Sequence, residues 1–104
     1  MELSARAQRD IDEMHRWIAE RSPSGANRWY TQFLKLLRSL KANPDAFSVA
    51  AETEDFRVPL REALFKTRRG NVYRVLFLIE GDLVRIVTVR GPGQAPVTSD
   101  EFDI

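Results

Sequence analysis

The chain has 104 residues, of which 43% are hydrophobic and 30% charged, values that are ordinary for a globular domain. It has no cysteine, which excludes disulfides, thiolate catalysis and cysteine-ligated metals and is typical of a reducing compartment. No apolar run approaches the roughly 20 residues of a membrane span, and charges at Arg6, Arg9 and Asp10 interrupt any signal-peptide pattern. We therefore expect a single cytoplasmic domain over residues 1–104.

Two amphipathic helices are predicted in the N-terminal part of the chain. Ser4 is a suitable N-cap for a helix running to about Arg21. Ser22-Pro23-Ser24 then ends this helix and starts a second one to Ala42, because proline is tolerated in a first helical turn but not in an interior. Apolar residues recur in both at helical spacing: Ala7, Ile11, Met14 and Ile18, then Ala26, Trp29, Tyr30, Phe33, Leu36, Leu37 and Leu40. The short link predicts an antiparallel helical hairpin.

Three strands joined by tight turns are predicted between residues 60 and 90. Leu60–Thr67 precedes a turn at Arg68–Asn71, and Gly81-Asp82 is a strong hairpin signal because glycine takes the positive φ that a two-residue turn requires. This turn would place Ile79 opposite Val84, Phe77 opposite Ile86 and Val75 opposite Thr88 on one apolar face. We expect an α+β fold, with the N-terminal helical hairpin packed on that face of a small antiparallel β-sheet.

The segments that flank the strands read as loops. Residues 44–58 have no clear period and include the acidic run 52–55, so we expect a loop with a helical turn near 46–51. The prolines of GPGQAP prevent continuation of the last strand. We expect residues 91–104 to form a flexible acidic tail, with a short helical turn capped by Thr98 or Ser99.

The charge is unevenly distributed along the chain. Residues 1–55 carry eight Lys/Arg and nine Asp/Glu, whereas residues 56–99 carry eight and three, within a net charge of +1. This asymmetry predicts an anionic partner, either nucleic acid or an acidic peptide. Alternatively, the arginines are solvated strand residues that keep a sheet edge from aggregating.

The second sheet face mixes arginines with aliphatic residues. Strand alternation places on it Arg74, Leu76, Leu78, Arg85, Val87 and Val89, with Arg61 and Phe65 joining by parity and Lys66 on the other side or the rim. Guanidinium groups bind phosphates bidentately and an aromatic ring can stack on a base. We interpret this face as a binding surface. The alternatives are that Arg74 and Arg85 pair with Glu62 or Glu80 and that Phe65 is core, or that the acidic tail folds back over the face.

The residues of a conventional hydrolase are missing. His15 is the single histidine, and with no cysteine a zinc site is not expected. No phosphate loop, dinucleotide motif or nucleophile elbow is present, and Asp10, Asp12 and Glu13 read as a charged helix face. We expect neither a cofactor nor a metal.

Several runs resemble the RelE/ParE toxin superfamily across roughly residues 3–90. They are LSARAQRDIDEMHRWIAERSP, ANRW and NP in the helical part, Leu60-Arg61, and YRVLFLIEGDLVRIVTVR in the sheet. The resemblance implies a toxin of a type II toxin–antitoxin module, bacterial and often plasmid-stabilising, neutralised by a small antitoxin in a hetero-oligomer. The RelE-like branch cleaves messenger RNA on the ribosome, and the ParE-like branch poisons DNA gyrase.

The chain departs from the superfamily pattern in three places. Only Met1-Glu2-Leu3 corresponds to the usual opening strand. The RelE-like nuclease site combines sheet cations with an arginine and a tyrosine or histidine near the C-terminus, and the C-terminal segment here has neither. Arg74 matches, and Arg61 and Lys66 are the other cation candidates. The ParE-like VRHG ending is here VRGPG, which keeps Arg90.

The resemblance therefore favours a ParE-like toxin that binds and inhibits a target such as gyrase. A ribosome-dependent endoribonuclease and a degenerate, non-toxic binding module remain the alternatives. We expect an acidic, amphipathic antitoxin segment or the target to contact a surface made of Arg61, Phe65, Arg74, Leu76, Leu78, Arg85, Val87, Val89 and Arg90.

Overall fold

The computed structural model describes residues 1–102 and contains two helices and a four-stranded mixed sheet. The elements in chain order are β1 (Glu2–Leu3), α1 (Ala5–Arg21), α2 (Pro23–Ala42), β2 (Arg61–Lys66), β3 (Val72–Glu80) and β4 (Leu83–Arg90). Short 3-10 turns occupy Pro44–Ala46, Ala51–Asp55 and Ser99–Glu101. The predicted α+β class, with a helical hairpin on one face of a small sheet, is confirmed.

The helix boundaries follow from two serines. Ser4 caps α1, its Oγ accepting from the backbone N–H of Ala7 at 3.0 Å while also donating to the carbonyl oxygen of Val87 at 2.7 Å. Ser22 ends α1 and caps α2, its Oγ accepting from the N–H of Gly25 at 3.0 Å. Both serines thus satisfy backbone donors that a helix start leaves unpaired.

The sheet is mixed and not purely antiparallel. Its strand order is β1-β4-β3-β2, and the two-residue β1 pairs in parallel with β4, with Leu3 opposite Ile86. The predicted pairs Ile79–Val84 and Phe77–Ile86 are confirmed.

The predicted pair Val75–Thr88 is wrong because β4 contains a bulge. The register shifts beyond Phe77, so that Val75 lies opposite Val89 and Leu76 opposite Thr88. One extra residue in a strand reverses the side-chain alternation beyond it. Val89 was predicted on the open face, but it belongs to the core beneath the helices.

The sheet is covered on both faces. The first core lies between the helices and the sheet and includes Ala7, Ile11, Trp29, Phe33, Leu40, Ala63, Phe65, Tyr73, Val75, Phe77, Val84, Ile86 and Val89. A second core lies on the opposite face and consists of Ala50, Leu60, Leu76, Leu78, Val87 and Val97, flanked by Phe56 and Phe102. The open, helix-free face predicted from the sequence is therefore wrong.

The cover of the second face comes from the two segments that read as loops. Leu76, Leu78 and Val87 are at most 5% exposed because residues 50–60 and 97–102 pack over them. Where the sequence predicts a flexible tail, the structure buries Val97 and forms the 3-10 turn Ser99–Glu101, which Thr98 caps as predicted. Neither covering segment has a helical or strand period, so its sequence does not predict that its apolar residues are buried.

Candidate functional site

Arg74 lies on the second sheet face and is held by two carboxylates. Its Nη1 and Nη2 donate to the two oxygens of Glu52 at 2.7 and 2.6 Å, a bidentate pair. Its Nε and Nη2 donate to Glu62 Oε2 at 2.9 and 2.7 Å. Glu62 belongs to the neighbouring strand β2, whereas Glu52 belongs to the 3-10 turn Ala51–Asp55. Arg74 therefore fastens this turn to the sheet.

The pKa values of this cluster show how strongly its charges are coupled. The hydrogen bond from Arg74 lowers the pKa of Glu52 from 4.5 to about 2. Hydrogen bonds to Glu52 and then Glu62 raise the pKa of Arg74 in turn. Glu52 Oε2 also accepts from the backbone N–H of Val97 at 3.3 Å, which connects the C-terminal segment to the same cluster.

Arg90 is paired with the C-terminal segment. Its Nη2 donates to Glu101 Oε1 at 2.5 Å, and Arg6 Nη2 reaches the same oxygen at 3.3 Å. A hydrogen bond from the backbone N–H of Thr98, and then those from the two arginines, lower the pKa of Glu101. The alternative in which the acidic tail folds back onto the basic strands is the one that the structure adopts.

Arg90 lies directly opposite Arg74 on β4, whereas two other predicted site residues, Arg61 and Phe65, are not brought to this face. Arg61 lies opposite Phe77 and donates to the carbonyl oxygen of Phe47 at 2.8 Å, on the helix side of the sheet. Phe65 is core, stacked on Tyr73 with ring centroids 5.2 Å apart. The sequence predicts both on the same face as Arg74, and that placement is wrong. The register of β2 on β3 puts Arg61 opposite Phe77 and Phe65 opposite Tyr73, so both face the helices.

Arg85 shares the second face with Arg74 but lies at its rim. It pairs with Glu80 at 3.2 Å, as one alternative predicted, and its side chain stays 40% exposed. An ion pair this exposed contributes little to stability. Lys66 is the last residue of β2, the edge strand, and by alternation it has the parity of Leu64, the residue opposite Arg74; it is exposed and borders a separate cavity.

That cavity, which we call the basic groove, lies between the closed end of the helical hairpin and the β2–β3 turn and has a volume of about 1030 Å³. Its wall includes the cations Arg21, Arg28, Lys66, Arg68 and Arg69 and no acidic residue of the described chain. From the sequence, Arg68 and Arg69 are predicted only as part of a turn. The nearby helix arginines lie some forty residues away in sequence, so only a tertiary contact could group them.

Two helices over one face of a mixed sheet, with a β-hairpin carrying the YR and VR motifs, make an α+β fold consistent with the RelE/ParE type.

The profile of the family described as "ParE toxin of type II toxin-antitoxin system, parDE" matches residues 1–96, and the chain belongs to this family. It is therefore a toxin of the type II toxin–antitoxin class, whose members work as one half of a pair with an antitoxin. No curated protein sequence gives a significant match. Within residues 1–102, no helix is long and apolar enough to cross a membrane.

Proposed function

We propose that this toxin acts by binding and inhibiting a target such as DNA gyrase, without cutting RNA, and that a cognate antitoxin neutralises it. The proposal rests on the pairing of Arg74 with two carboxylates. A ribonuclease of the RelE type needs cations free to stabilise the charge that develops on the phosphate. All three guanidinium nitrogens of Arg74 already donate to Glu52 and Glu62.

The remaining catalytic candidates support the same proposal. Arg61 lies on the opposite side of the sheet from Arg74, and Lys66 borders the basic groove. His15, the one histidine, lies on α1 with its ring 6.0 Å from that of Tyr30, and it is not among the residues that line the basic groove. A general acid and base must lie within hydrogen-bond reach of the reacting groups. Within residues 1–102, the Arg61 side chain donates to a backbone carbonyl, and Lys66 has no hydrogen bond to a side chain that could serve as general acid or base.

The proposal is tested by two assays on the same preparation. We expect the purified toxin to stop supercoiling of relaxed plasmid by gyrase and to leave message intact on programmed ribosomes. Continued supercoiling together with cleaved message would favour the endoribonuclease. Unimpaired growth on expression without an antitoxin would favour the non-toxic binding module.

We propose an antitoxin-binding surface that leaves out the buried apolar residues of the predicted one. Leu76, Leu78 and Val87 are buried by the toxin's own chain, so glutamate at these positions would unfold the protein rather than report on binding. Of the predicted basic residues, Arg85 and Lys66 are the accessible ones. They lie at different ends of the sheet, opposite Leu78 and Val72 of β3, and we propose that an extended acidic segment of the antitoxin contacts both.

A charge reversal at these positions tests this surface. We expect Arg85→Glu with Lys66→Glu to weaken co-purification with the acidic protein encoded beside the toxin, because like charges repel across an interface. Arg9→Glu with Arg38→Glu, at exposed helix positions, is the matched control. Equal retention of both variants would place the antitoxin elsewhere.

A further inference from the structure

Within residues 1–102, four of the five cations of the basic groove have no carboxylate partner, unlike Arg74, Arg85 and Arg90 of the sheet. Arg74, Arg85 and Arg90 each pair with a glutamate. Within residues 1–102, Arg28, Lys66, Arg68 and Arg69 have no acidic oxygen within 4.0 Å, and Arg21 reaches only Glu20 at 3.8 Å. Five clustered cations repel one another unless an anion joins them.

The turn that carries two of these cations is closed by backbone hydrogen bonds. Thr67 N–H donates to the Asn71 carbonyl at 2.9 Å, and Gly70 N–H donates to the Thr67 carbonyl at 3.0 Å. Gly70 closes the turn with a φ of 87°, a value that favours glycine. Arg68 and Arg69 therefore occupy the centre of a turn whose backbone is already fixed, which lowers the entropy cost of binding an anion.

The helix side of the groove adds aromatic rings to the positive charge. Trp17 is 57% exposed, and the guanidinium of Arg21 lies 3.8 Å from its ring centroid while donating to the Trp17 carbonyl. Trp29 borders the groove from the first core, where it is only 2% exposed, and its indole N–H has no acceptor among residues 1–102, so Trp17 supplies the exposed ring. Cations combined with aromatic surface are the pattern of single-stranded nucleic-acid sites, where phosphates pair with charge and bases stack on rings.

We propose that the basic groove binds single-stranded nucleic acid through its phosphodiester backbone. An amphipathic acidic helix needs a row of apolar pockets for its anchors, and Ile18 is the one aliphatic residue among those lining the groove. At about 1030 Å³ the groove has the size of a large ligand pocket, which admits a few nucleotides of one strand but not a double helix. The inference is independent of the toxin's target.

The test is fluorescence anisotropy of a labelled 15-nucleotide oligothymidylate, titrated with the full chain at several KCl concentrations. Each phosphate contact to a single strand contributes about 0.7 to the salt slope, so five cations predict a slope near −3.5. Arg68→Ala with Arg69→Ala should reduce the slope by about 1.4 and weaken binding roughly tenfold at low salt. Arg9→Ala with Arg38→Ala removes the same charge elsewhere and should change both far less.

A second variant separates stacking from charge. Trp17→Leu keeps every cation and should weaken binding about fivefold or more with an unchanged salt slope. Circular dichroism confirms that each variant is folded. Any one of four results would overturn the proposal. Two concern the single strand: equal losses of affinity in the two double-arginine variants, or a wild-type salt slope near zero. The other two are tighter binding of a duplex of equal length and tighter binding of polyglutamate. A negative gyrase assay would leave these measurements unaffected.

Discussion

At the scale of single residues, Arg74 shows how a side chain that matches a nuclease motif can serve structure instead. Its guanidinium donates four hydrogen bonds to Glu52 and Glu62. The Glu52 side chain is only 8% exposed, so its charge depends on this partner for compensation. We infer that Arg74 is required chiefly for the fold of this toxin.

Replacing Arg74 should therefore be costly. Arg74→Met keeps the aliphatic stem but leaves the Glu52 carboxylate buried without its partner, and we expect the free energy of unfolding to fall by about 3–5 kcal/mol. Arg85→Met removes the exposed pair with Glu80 and should cost less than about 1 kcal/mol. Urea denaturation of the two variants measures the difference. Equal losses would contradict the structural role.

The same carboxylate predicts a pH dependence. The folded-state pKa of Glu52 is about 2, below its ordinary 4.5. Its stabilising contribution is therefore complete above about pH 4.5 and is lost as the pH falls toward 2, at most about 3 kcal/mol. The urea concentration at the midpoint of unfolding should decrease less steeply for Glu52→Gln than for wild type as the pH is lowered from 5 to 2. Glu54→Gln, its exposed neighbour, should follow wild type; parallel curves for all three would refute the assignment.

At the scale of elements, Asp10 joins α1 to β4. Its Oδ2 accepts from Thr88 Oγ1 at 2.5 Å and from the Val89 N–H at 3.1 Å, just beyond the bulge and past the end of β1. Thr88 is fully buried. The carboxylate thus satisfies polar groups on a strand edge that the two-residue β1 is too short to cover.

Removing this carboxylate should loosen the junction. Asp10→Ala leaves the Thr88 hydroxyl and the Val89 N–H unpaired, at a cost of about 2–3 kcal/mol. Hydrogen exchange of the Val89 amide should accelerate in the variant, because its acceptor is gone. Asp12→Ala, two residues along the same helix and exposed, is the control and should be within about 0.5 kcal/mol of wild type. An unchanged Val89 amide in Asp10→Ala would argue against the contact.

At the scale of the whole molecule, the second core decides which surfaces a partner can reach. Val97 from the C-terminal segment and Ala50 and Leu60 from the segment before β2 bury Leu76, Leu78 and Val87. The sheet is therefore sandwiched between the helices and these irregular segments. On the sheet itself, exposed charge remains at the rim, on Arg85, and beside the basic groove, on Lys66.

A charge placed in the second core should open it. Val97→Asp introduces an unpaired carboxylate at a position that is 2% exposed, and we expect a loss of about 2–4 kcal/mol with increased binding of a hydrophobic dye. Val58→Asp, at an exposed position of the other covering segment, should leave both unchanged. If Val97→Asp behaves like Val58→Asp, the tail does not contribute to the core in solution.

Local signals in the sequence are sufficient to predict the helices, the strands and the residue pairing close to each turn. Capping serines, helical periodicity and the Gly81 turn act over a few residues, so they can be recognised without tertiary contacts. The family motifs likewise identify the toxin class from linear runs. Pairing of Arg85 with Glu80 was foreseeable because a tight turn brings the two together.

Only the tertiary structure decided the bulge in β4, the cover over the second face, the pairing of Arg74 with Glu52 and the assembly of the basic groove. Each depends on residues far apart in the chain, such as Glu52 with Arg74 or Arg28 with Arg68. Alternation predicts a face only while the register holds, and a single extra residue moved Val89 to the helix side. Irregular segments bury apolar residues without a period, so their contribution emerges only when the chain is folded.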